Sequence, residues 1–507
     1  MEKSKLSIEE FASFCKRKGF IYPTAEIYGG FAGFFDYGPL GVEIKNSIKN
    51  SFWKEFVQKR EDIVGIDGSI ITNPKVWQAS GHADCFTDIL LFCQKCKYHV
   101  RADTYLEDKL KTSLTGAKKH DIDKLIAEKK IKCPKCTNEL TTTNFNLMLK
   151  TQVGPIEENS SIGYLRPETA QLIFINYKQV QENSRRKLPF GIAQMGKAFR
   201  NEISPRDFLF RCREFEQMEI EFFAHPDKIN DCEFFEEIKN LEANLITSKQ
   251  QEKNESHKKT HLKDLVEKKL ASKWHAYWLG MFYKWFLDLG IHPDNLRLRE
   301  HKKDELAHYA GACFDIEYNF PIGWKEIHGN ADRKQFDLTQ HINFSKSDLS
   351  YYDEESKTKV IPYVASEPSQ GVDRAFMAFM FDAYTYDEKR QNVVLKLNPK
   401  LSPIKAGIFP LLSNKPELVS KAREVYNLLR QEFAVFFDVS GSIGRRYARM
   451  DEIGTPKCIT IDFDTLRDDT INTVTVRDRD TTVQSRIKID DLITSLSLSP
   501  EKQLPSA

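Results

Sequence analysis

Phe199-Arg200-Asn201-Glu202-Ile203-Ser204-Pro205-Arg206 and, after a short loop, Arg211-Cys212-Arg213-Glu214-Phe215-Glu216-Gln217-Met218-Glu219-Ile220-Glu221-Phe222 decide how this chain is read. From Gln217 onward the residues alternate: Gln217, Glu219 and Glu221 fall on one face of a strand, Met218, Ile220 and Phe222 on the other. This predicts a half-buried strand with carboxylates on its open face. The arm before the loop carries Arg200 and Glu202, and the loop itself carries Pro205 and Arg206. Two readings follow. The hairpin is either a surface hairpin laced with exposed ion pairs, each of little energetic consequence, or a binding site. In the second, Arg200 clamps a phosphate or carboxylate through paired hydrogen bonds, and Phe215 offers a flat apolar face for a base.

Working outward, Val42 to Arg60 is a helix, with Ile44, Ile48, Phe52 and Phe56 recurring every four residues and Trp53 and Val57 widening the stripe. Leu165-Arg166-Pro167-Glu168-Thr169-Ala170-Gln171 reads as a helix start, since Pro167 suits a first turn and Glu168 complements the positive end of the helix dipole. Phe314 to Asn319 and Trp324 to His328 read as strands. Val364 to Arg374 reads as a strand, a turn at Pro368-Ser369-Gln370-Gly371 and a helix that begins at Val372. Leu397 to Pro403 is a proline-containing connector. Beyond it strands (Lys405 to Leu411, Ala434 to Val439, Lys457 to Phe463, Ile471 to Arg477) alternate with helices, which predicts a small mixed α/β domain. Arg445, Arg446 and Arg449 with Tyr447 there combine charge with a stacking surface for nucleic acid.

Cys93-x-x-Cys96 and Cys133-x-x-Cys136 bracket 36 residues rich in lysine. Each pair makes the tight turn that aims two thiolates at one cation, and the two pairs complete a tetrahedron. A structural Zn²⁺ is one reading; four free thiols in an insert without metal is the other. Residues 105 to 130 read as a helical arm. Ser256 to Leu270, with His257, Lys258, Lys259, Lys263, Lys268 and Lys269 among helically spaced apolar residues, reads as a solvated helix face or as a clamp on RNA phosphates.

Net charge is +2 over 507 residues, so the chain is not a general polyanion binder and any nucleic-acid contact is local. Ten cysteines in a long chain whose first twenty residues hold no apolar run argue for thiols or metal ligands over disulfides. No apolar run approaches a membrane span. The expected location is the cytoplasm.

The blocks around Arg200, Phe215, Glu168 and Glu367-Pro368-Ser369, with Gly371 to Arg374, resemble in order and wording those of the class II aminoacyl-tRNA synthetases, and among them the homodimeric glycyl-tRNA synthetase family. The resemblance covers nearly the whole chain. It implies an α+β fold: an antiparallel-sheet catalytic domain over 1–398, with a zinc-ribbon-like insertion at 93–145 and a helical insertion at 226–290, then an anticodon-binding α/β domain over 404–507. It places the helix from Val42, the strand Gly68 to Thr72 and Pro74 at a dimer interface.

The implied activity is ATP-dependent attachment of glycine to the 3′ end of tRNA(Gly) through a glycyl-adenylate, with Mg²⁺ on the phosphates. The implied catalytic residues are Arg200, Glu202 and Arg374. ATP is implied to meet Arg200, Asn201, Glu202, Phe210, Arg211, Cys212, Arg213, Glu214, Phe215, Glu326, Ile327, Gly371, Val372, Asp373 and Arg374. Glycine is implied to meet Arg101, Glu168, Phe215, Glu216, Gln217, Met218, Glu219, Glu367, Pro368, Ser369, Gln370 and Gly371. Glu168, Glu219 and Glu367 are expected to receive the ammonium. Close-packed walls are expected to refuse a larger side chain without an editing domain.

Overall fold

Nine strands of the described residues build the sheet that carries the site. In chain order they are β1 (Ile63–Ile66), β2 (Phe190–Phe199), β3 (Glu214–Ala224), β4 (Glu242–Ile246), β5 (Lys258–His261), β6 (Leu296–Glu300), β7 (Ala312–Phe320), β8 (Gly323–Asp332) and β9 (Tyr363–Gly371). The structure, a computed structural model, describes residues 6–111, 114, 118–155, 161–306, 310–467 and 472–497.

The strands lie in the order β5-β4-β6-β7-β8-β9-β3-β2-β1. Pairing is parallel at β1–β2 and β4–β6 and antiparallel elsewhere. The register joins Gln194 to Glu219, Glu219 to Ser369 and Ser369 to Gly329. Because side chains alternate faces, this row fixes which residues can meet across four strands.

One face of the sheet is apolar. Met218, Ile220 and Phe222 are fully buried, and Phe222 packs on Trp274 at 4.4 Å between ring centroids. Trp274 opens the helix Lys273–Asp288, whose N-cap Ser272 accepts from the His275 N–H. The helix Pro39–Trp53 lies on the same core. Its Ile44, Ile48 and Phe52, with Phe56 in the π turn that continues it, are wholly buried, and Phe56 stacks on Phe282 at 4.2 Å. The stripe expected at a dimer interface is therefore spent inside its own chain. Burying each such side chain contributes about 1.5–3 kcal/mol. The strand expected at Gly68 to Thr72 is shorter, Ile71–Thr72, and Pro74 instead opens the helix Pro74–Ala79, capped by Asn73.

The other face is also covered, which corrects the expectation of an open carboxylate face. Glu219 is 2 % exposed and Glu221 0 %. The helices Ala170–Asn183 and Phe336–Ser345 lie over this face, where Phe174, Tyr177 and Leu338 join Phe190, Phe223 and Val364 in a second core. Alternation of polar and apolar residues signals a strand but not what covers it.

The expected helical insertion is not all helical. β4 and β5 extend the sheet past β6, and Lys258–His261, expected in a helix, is the edge strand. Lys273–Asp288 belongs to the main core. The Pro368 turn is likewise absent: β9 runs unbroken to Gly371 because β3 and β8 pair with it on both sides. The segment around the cysteine pairs is a small sheet (Thr87–Phe92, His99–Arg101, Thr141–Asn146). The helices Ala102–Leu110 and Lys119–Glu128 dock on it through Leu106 and Ile122, so the expected arm is packed. Residues 112, 113 and 115–117 lie outside the described residues.

Residues 406–488 form a separate sheet: β10 (Ala406–Pro410), β11 (Val435–Phe437), β12 (Lys457–Ile461), β13 (Thr473–Asp478) and β14 (Gln484–Lys488), in the order β11-β10-β12-β13-β14. The first three are parallel, joined by the helices Pro416–Leu429 and Ile443–Glu452, and the last two antiparallel. This sheet has its own core around Ile408, Leu418, Val425 and Ile459. Arg479 and Arg390 tie it to the preceding chain, Arg479 Nη2 donating to Leu397 O and Arg390 Nη1 to Asp451 Oδ2.

Candidate functional site: a carboxylate-lined groove across the sheet

The β2–β3 connection carries the first half of the site. Arg200 N–H donates to Arg213 O at 2.9 Å, which carries the ladder one step past Phe199. The Arg200 guanidinium lies between the rings of Phe86 and Phe215, 5.3 and 5.2 Å from their centroids, and its Nε donates to Pro167 O at 3.0 Å. Its charge lowers the pKa of both Glu168 and Glu326, so it stands between two acidic regions. Glu202 is buried and faces Arg211 at 3.3 Å. Arg213 turns away and ties down the loop that holds Gly29, Gly30 and Gly33: its Nε donates to Glu202 O and its Nη1 to Ala32 O.

The second half comes from the first turn of the helix Val372–Ala383. Arg374 lies 4.4 Å over the Phe210 ring, donates to Phe210 O, and meets the half-exposed Glu326 carboxylate at 3.1 Å. Partial desolvation by the groove walls works to raise Glu326, but Arg374 and then His301 and Arg200 hold it below the usual carboxylate range. Glu326 is therefore a fixed anion at the groove.

Several residues expected here do other work. Asp373 accepts from Tyr37 OH at 2.6 Å and from Glu216 N at 2.9 Å, so it is a strut. Cys212, Ile327 and Val372 are buried among apolar neighbours. Glu214 pairs with Lys197 at 2.8 Å. Glu216 lies on the apolar face and pairs with Lys45 at 2.6 Å and with Lys49. Met218 is core, and Gln370, opposite it on that same face, donates to Ile327 O. The alternation that puts Gln217 and Glu219 in the site necessarily takes their neighbours out of it. Arg101 is held by Asp103 at 2.8 Å and Asp88 at 3.0 Å, which leaves its charge already matched.

Beside Arg200 lies a carboxyl cluster, most of it buried. Glu219 accepts from Ser369 Oγ at 2.6 Å and from Thr169 Oγ1. Burial and the nearby Glu168 charge raise its pKa despite those two donors. Glu168 faces His82 Nε2 at 3.2 Å; burial works to raise it, but His82, then Arg333 and Arg200, hold it well below the usual range. Glu367 sits on Arg333 Nη1 at 2.6 Å. Arg333 also grips Asp337 with two bonds of 2.8 Å and is 1 % exposed. Glu221 has no hydrogen-bond partner for either oxygen among the described residues, and burial and Glu367 push its pKa well up. We assign the proton of this pair to Glu221, since Glu367 alone has a cation to meet.

Arg333, Asp337 and His82 escape a reading of the sequence, which puts Glu221 on the face of Glu219 but gives it no role. Arg333 and Asp337 are spaced i, i+4, the one local signal that they share a face. Gln194, opposite Glu219 and 0 % exposed, has no partner for its amide among the described residues and was not anticipated either. Arg166 spans Gly196, where an added Cβ would lie 2.1 Å from Nη2, so glycine there is the condition for that arginine to lie flat on the sheet.

Cys93 and Cys96 meet Cys133 and Cys136 with Sγ–Sγ separations of 3.4 Å (Cys93–Cys136) and 3.5 Å (Cys96–Cys133). The two turns match: Cys93 N–H donates to Tyr98 O and Cys133 N–H to Asn138 O, each at 2.8 Å, while Lys97 and Thr137 take the same left-handed backbone. A tetrahedral Zn–S₄ unit with bonds of about 2.3 Å has edges of nearly this length.

In the last domain the expected nucleic-acid residues are mostly engaged. Arg446 is 1 % exposed and donates to Pro410 O and Gly441 O. Tyr447 OH pairs with Thr460 and its ring lies under Arg477. Arg449 is held by Asp438. Arg445 stays exposed.

Comparison with known proteins follows the same lines. A family profile described as "Anticodon binding domain" matches residues 405–497. The chain is 44 % identical over 499 residues to "Glycine--tRNA ligase" of Thermobifida fusca (strain YX), covering 96 % of each chain. It is 45 % identical over 499 residues to the protein of that name from Acetivibrio thermocellus, covering 96 % of this chain and 97 % of the relative. A third, from Clostridium tetani, is 45 % identical over 502 residues, with 97 % and 98 % covered.

Proposed function

We propose that this chain, which belongs to the glycine–tRNA ligase family, joins glycine to the 3′ end of tRNA(Gly) with ATP, and that the carboxyl cluster beside Arg200 is where glycine is chosen. The carboxylate of glycine attacks the α-phosphorus of ATP, and pyrophosphate leaves. A hydroxyl of the terminal tRNA ribose then attacks the carbonyl carbon, and AMP leaves. Neither step needs a nucleophilic side chain; both need positioning and charge opposite the developing anion. Arg200, between Phe86 and Phe215, meets the α-phosphate and the glycine carboxylate. Arg374 meets the terminal phosphate and, with Phe215, sandwiches the adenine. Glu202 and Arg211 edge the base and the phosphates. Asn201, Phe210, the Gly371 backbone and Pro368 complete the walls. Mg²⁺ supplies charge neutralisation on the phosphates, and the half-exposed Glu326 is the carboxylate suited to hold it.

The ammonium goes to Glu219, beside Glu168 and Ser369. Glu367 supports this pocket through Arg333 and contributes less free charge than its type suggests. The observation that carries the reading is the excess of carboxyls: the half-buried Glu168 and the buried Glu219, Glu221, Glu367 and Asp337 gather around the buried Arg333, with only Arg166, among the described residues, as a further buried cation near Glu219. An ammonium relieves the mutual repulsion of the ionised ones. Glu219→Gln keeps the shape and removes one charge. It is expected to raise KM for glycine by the equivalent of about 1.5–3 kcal/mol, the scale of a hydrogen bond to a charged group, with KM for ATP little changed. An unaltered glycine KM would overturn the assignment. Pyrophosphate exchange across a panel of amino acids tests the substrate itself; exchange with alanine equal to that with glycine would overturn it.

We place a structural Zn²⁺ on Cys93, Cys96, Cys133 and Cys136, whose four sulfurs leave no ligand position for water. Elemental analysis is expected to find about one zinc per subunit, and metal-free protein with four titratable thiols would refute it. The division into a catalytic part over 1–398 and a part over 404–507 that reads the anticodon is supported by the two separate cores. For the homodimer, the candidate surface is the exposed Val42, Ile70 and Ile71, since the buried stripe of the same helix is spent. Cytoplasmic location is supported by the described cysteines, which stand as thiols; no helix of the described residues is long and apolar enough to cross a membrane.

A further inference from the structure

We propose that His301, Cys313 and Asp315 form a second metal site, open on one side, that takes a zinc-class divalent cation at the floor of the groove. The topology brings the three together. His301 follows the end of β6, and its N–H donates to Cys313 O at 3.0 Å, so the two residues stand opposite one another. Asp315 lies two residues along β7 and therefore on the same face. One ring nitrogen of His301, the Cys313 sulfur and one Asp315 oxygen all lie within 4.8 Å of one another. Tetrahedral ligand atoms around zinc lie about 3.3–3.8 Å apart, so small side-chain rotations close the set.

The chemistry selects the ion. One imidazole, one thiol and one carboxylate make a mixed, borderline-soft donor set, which suits Zn²⁺ or Co²⁺ and not the all-oxygen preference of Mg²⁺. The surroundings are acidic: Cys313 feels Asp315, Glu367 and Glu326. The nearest cation, Arg299, is 3.5 Å from Asp315 but already gripped by Glu305 through two bonds of 2.6 and 2.7 Å. Binding through Nε2 replaces the hydrogen bond that His301 makes with Asp315 at 2.8 Å and leaves the ring proton on Nδ1. It displaces the thiol proton, so one proton is released to solvent for each ion bound, and a second when the imidazole starts doubly protonated.

The position matters for function. Asp315 pairs with Gly329 and Cys313 with Ala331, and those two pair in turn with Ser369 and Glu367. The two small residues of β8 leave the floor low between the triad and the carboxyl cluster. Three ligands leave a fourth position, near Glu326 and the groove assigned to ATP. An ion there competes with ATP; this last point rests on the functional reading above, the metal site itself does not.

The test uses the full-length protein with its four-cysteine site loaded with zinc, titrated with Co²⁺ alone. The wild type is expected to take up one Co²⁺ per subunit with the near-ultraviolet absorption of a single thiolate–cobalt bond. Cys313→Ser is expected to abolish that absorption, and His301→Ala to weaken Co²⁺ binding at least about tenfold, with unchanged intrinsic fluorescence reporting an intact fold. Absence of the band in the wild type, or its survival in Cys313→Ser, overturns the site. With free Co²⁺ held constant by a metal buffer, saturating ATP is expected to weaken Co²⁺ binding at least about tenfold; unchanged binding with the band present overturns the placement against ATP while leaving the metal site standing.

Discussion

Arg200→Ala loses about 10²–10³-fold of glycine-dependent ATP–pyrophosphate exchange, the scale seen when one preorganised donor to a developing anion is removed. The guanidinium is anchored by its Nε on Pro167 O and held between two rings, so little motion is left to it. A group held in place before the reaction need not reorganise during it, and that is the source of the effect. Lysine restores the charge but neither the planar fork nor the ring stacking, so Arg200→Lys recovers only part of the loss. Thermal unfolding of Arg200→Ala stays near that of the wild type, because the residue is only partly buried and pairs with a single carbonyl through the side chain. Exchange within threefold of the wild type would refute the role.

Arg333→Met destabilises the catalytic part by about 3–5 kcal/mol, the cost of removing one member of a buried ion network. Arg333 is the shared partner of Asp337 and Glu367 and lies 5.2 Å from the Phe174 ring. Methionine fills much of the volume, so the loss is electrostatic: Asp337 and Glu367 are left buried with their cation gone, next to Glu221. Urea unfolding followed by tryptophan fluorescence reads the change as a lower midpoint. The loss is expected to shrink as pH falls, because protonation removes the stranded charges. The sign follows from Arg333: burial works to raise Glu367 and Glu221, and the Arg333 charge opposes it, so removing that charge costs most where the carboxyls are ionised. In the variant their folded pKa values move further up, and a carboxyl with a raised folded pKa favours the fold below its unfolded value and loses that contribution as pH rises through the folded value. A midpoint equal to that of the wild type at pH 8 would show that the network contributes nothing to stability.

These two arginines mark the limits of a sequence. Arg200 was legible because its neighbours in the chain are its neighbours in the site: Glu202, Arg213 and Phe215 lie within one hairpin. Arg333 was not, since it joins Asp337 on the next helix to Glu367, 34 residues on, and nothing in a local period reports a pairing between strands. The same contrast runs through the glycine pocket. Alternation along Glu214–Ala224 correctly sorted Glu219 from Met218, because the two-residue repeat is a property of the extended backbone. It also placed the carboxylates on an open face, and there it failed, because the helices Ala170–Asn183 and Phe336–Ser345 close over them.

Spacing alone likewise determined the two cysteine knuckles, since a Cys-x-x-Cys turn brings its own sulfurs together whatever surrounds it. The order of strands and helices after Pro403 was readable for the same reason. Which arginine near Tyr447 stays free was decided elsewhere, by Pro410, Asp438 and Gly441 taking the hydrogen bonds of Arg446 and Arg449. What the sequence by itself determined about this protein are the features set by backbone period and short spacing: the strands, the knuckles, the blocks around the site. Which charges are buried, matched or left for a substrate was decided only by the tertiary structure, because the cost of a charge depends on the atoms packed around it, and those come from distant parts of the chain.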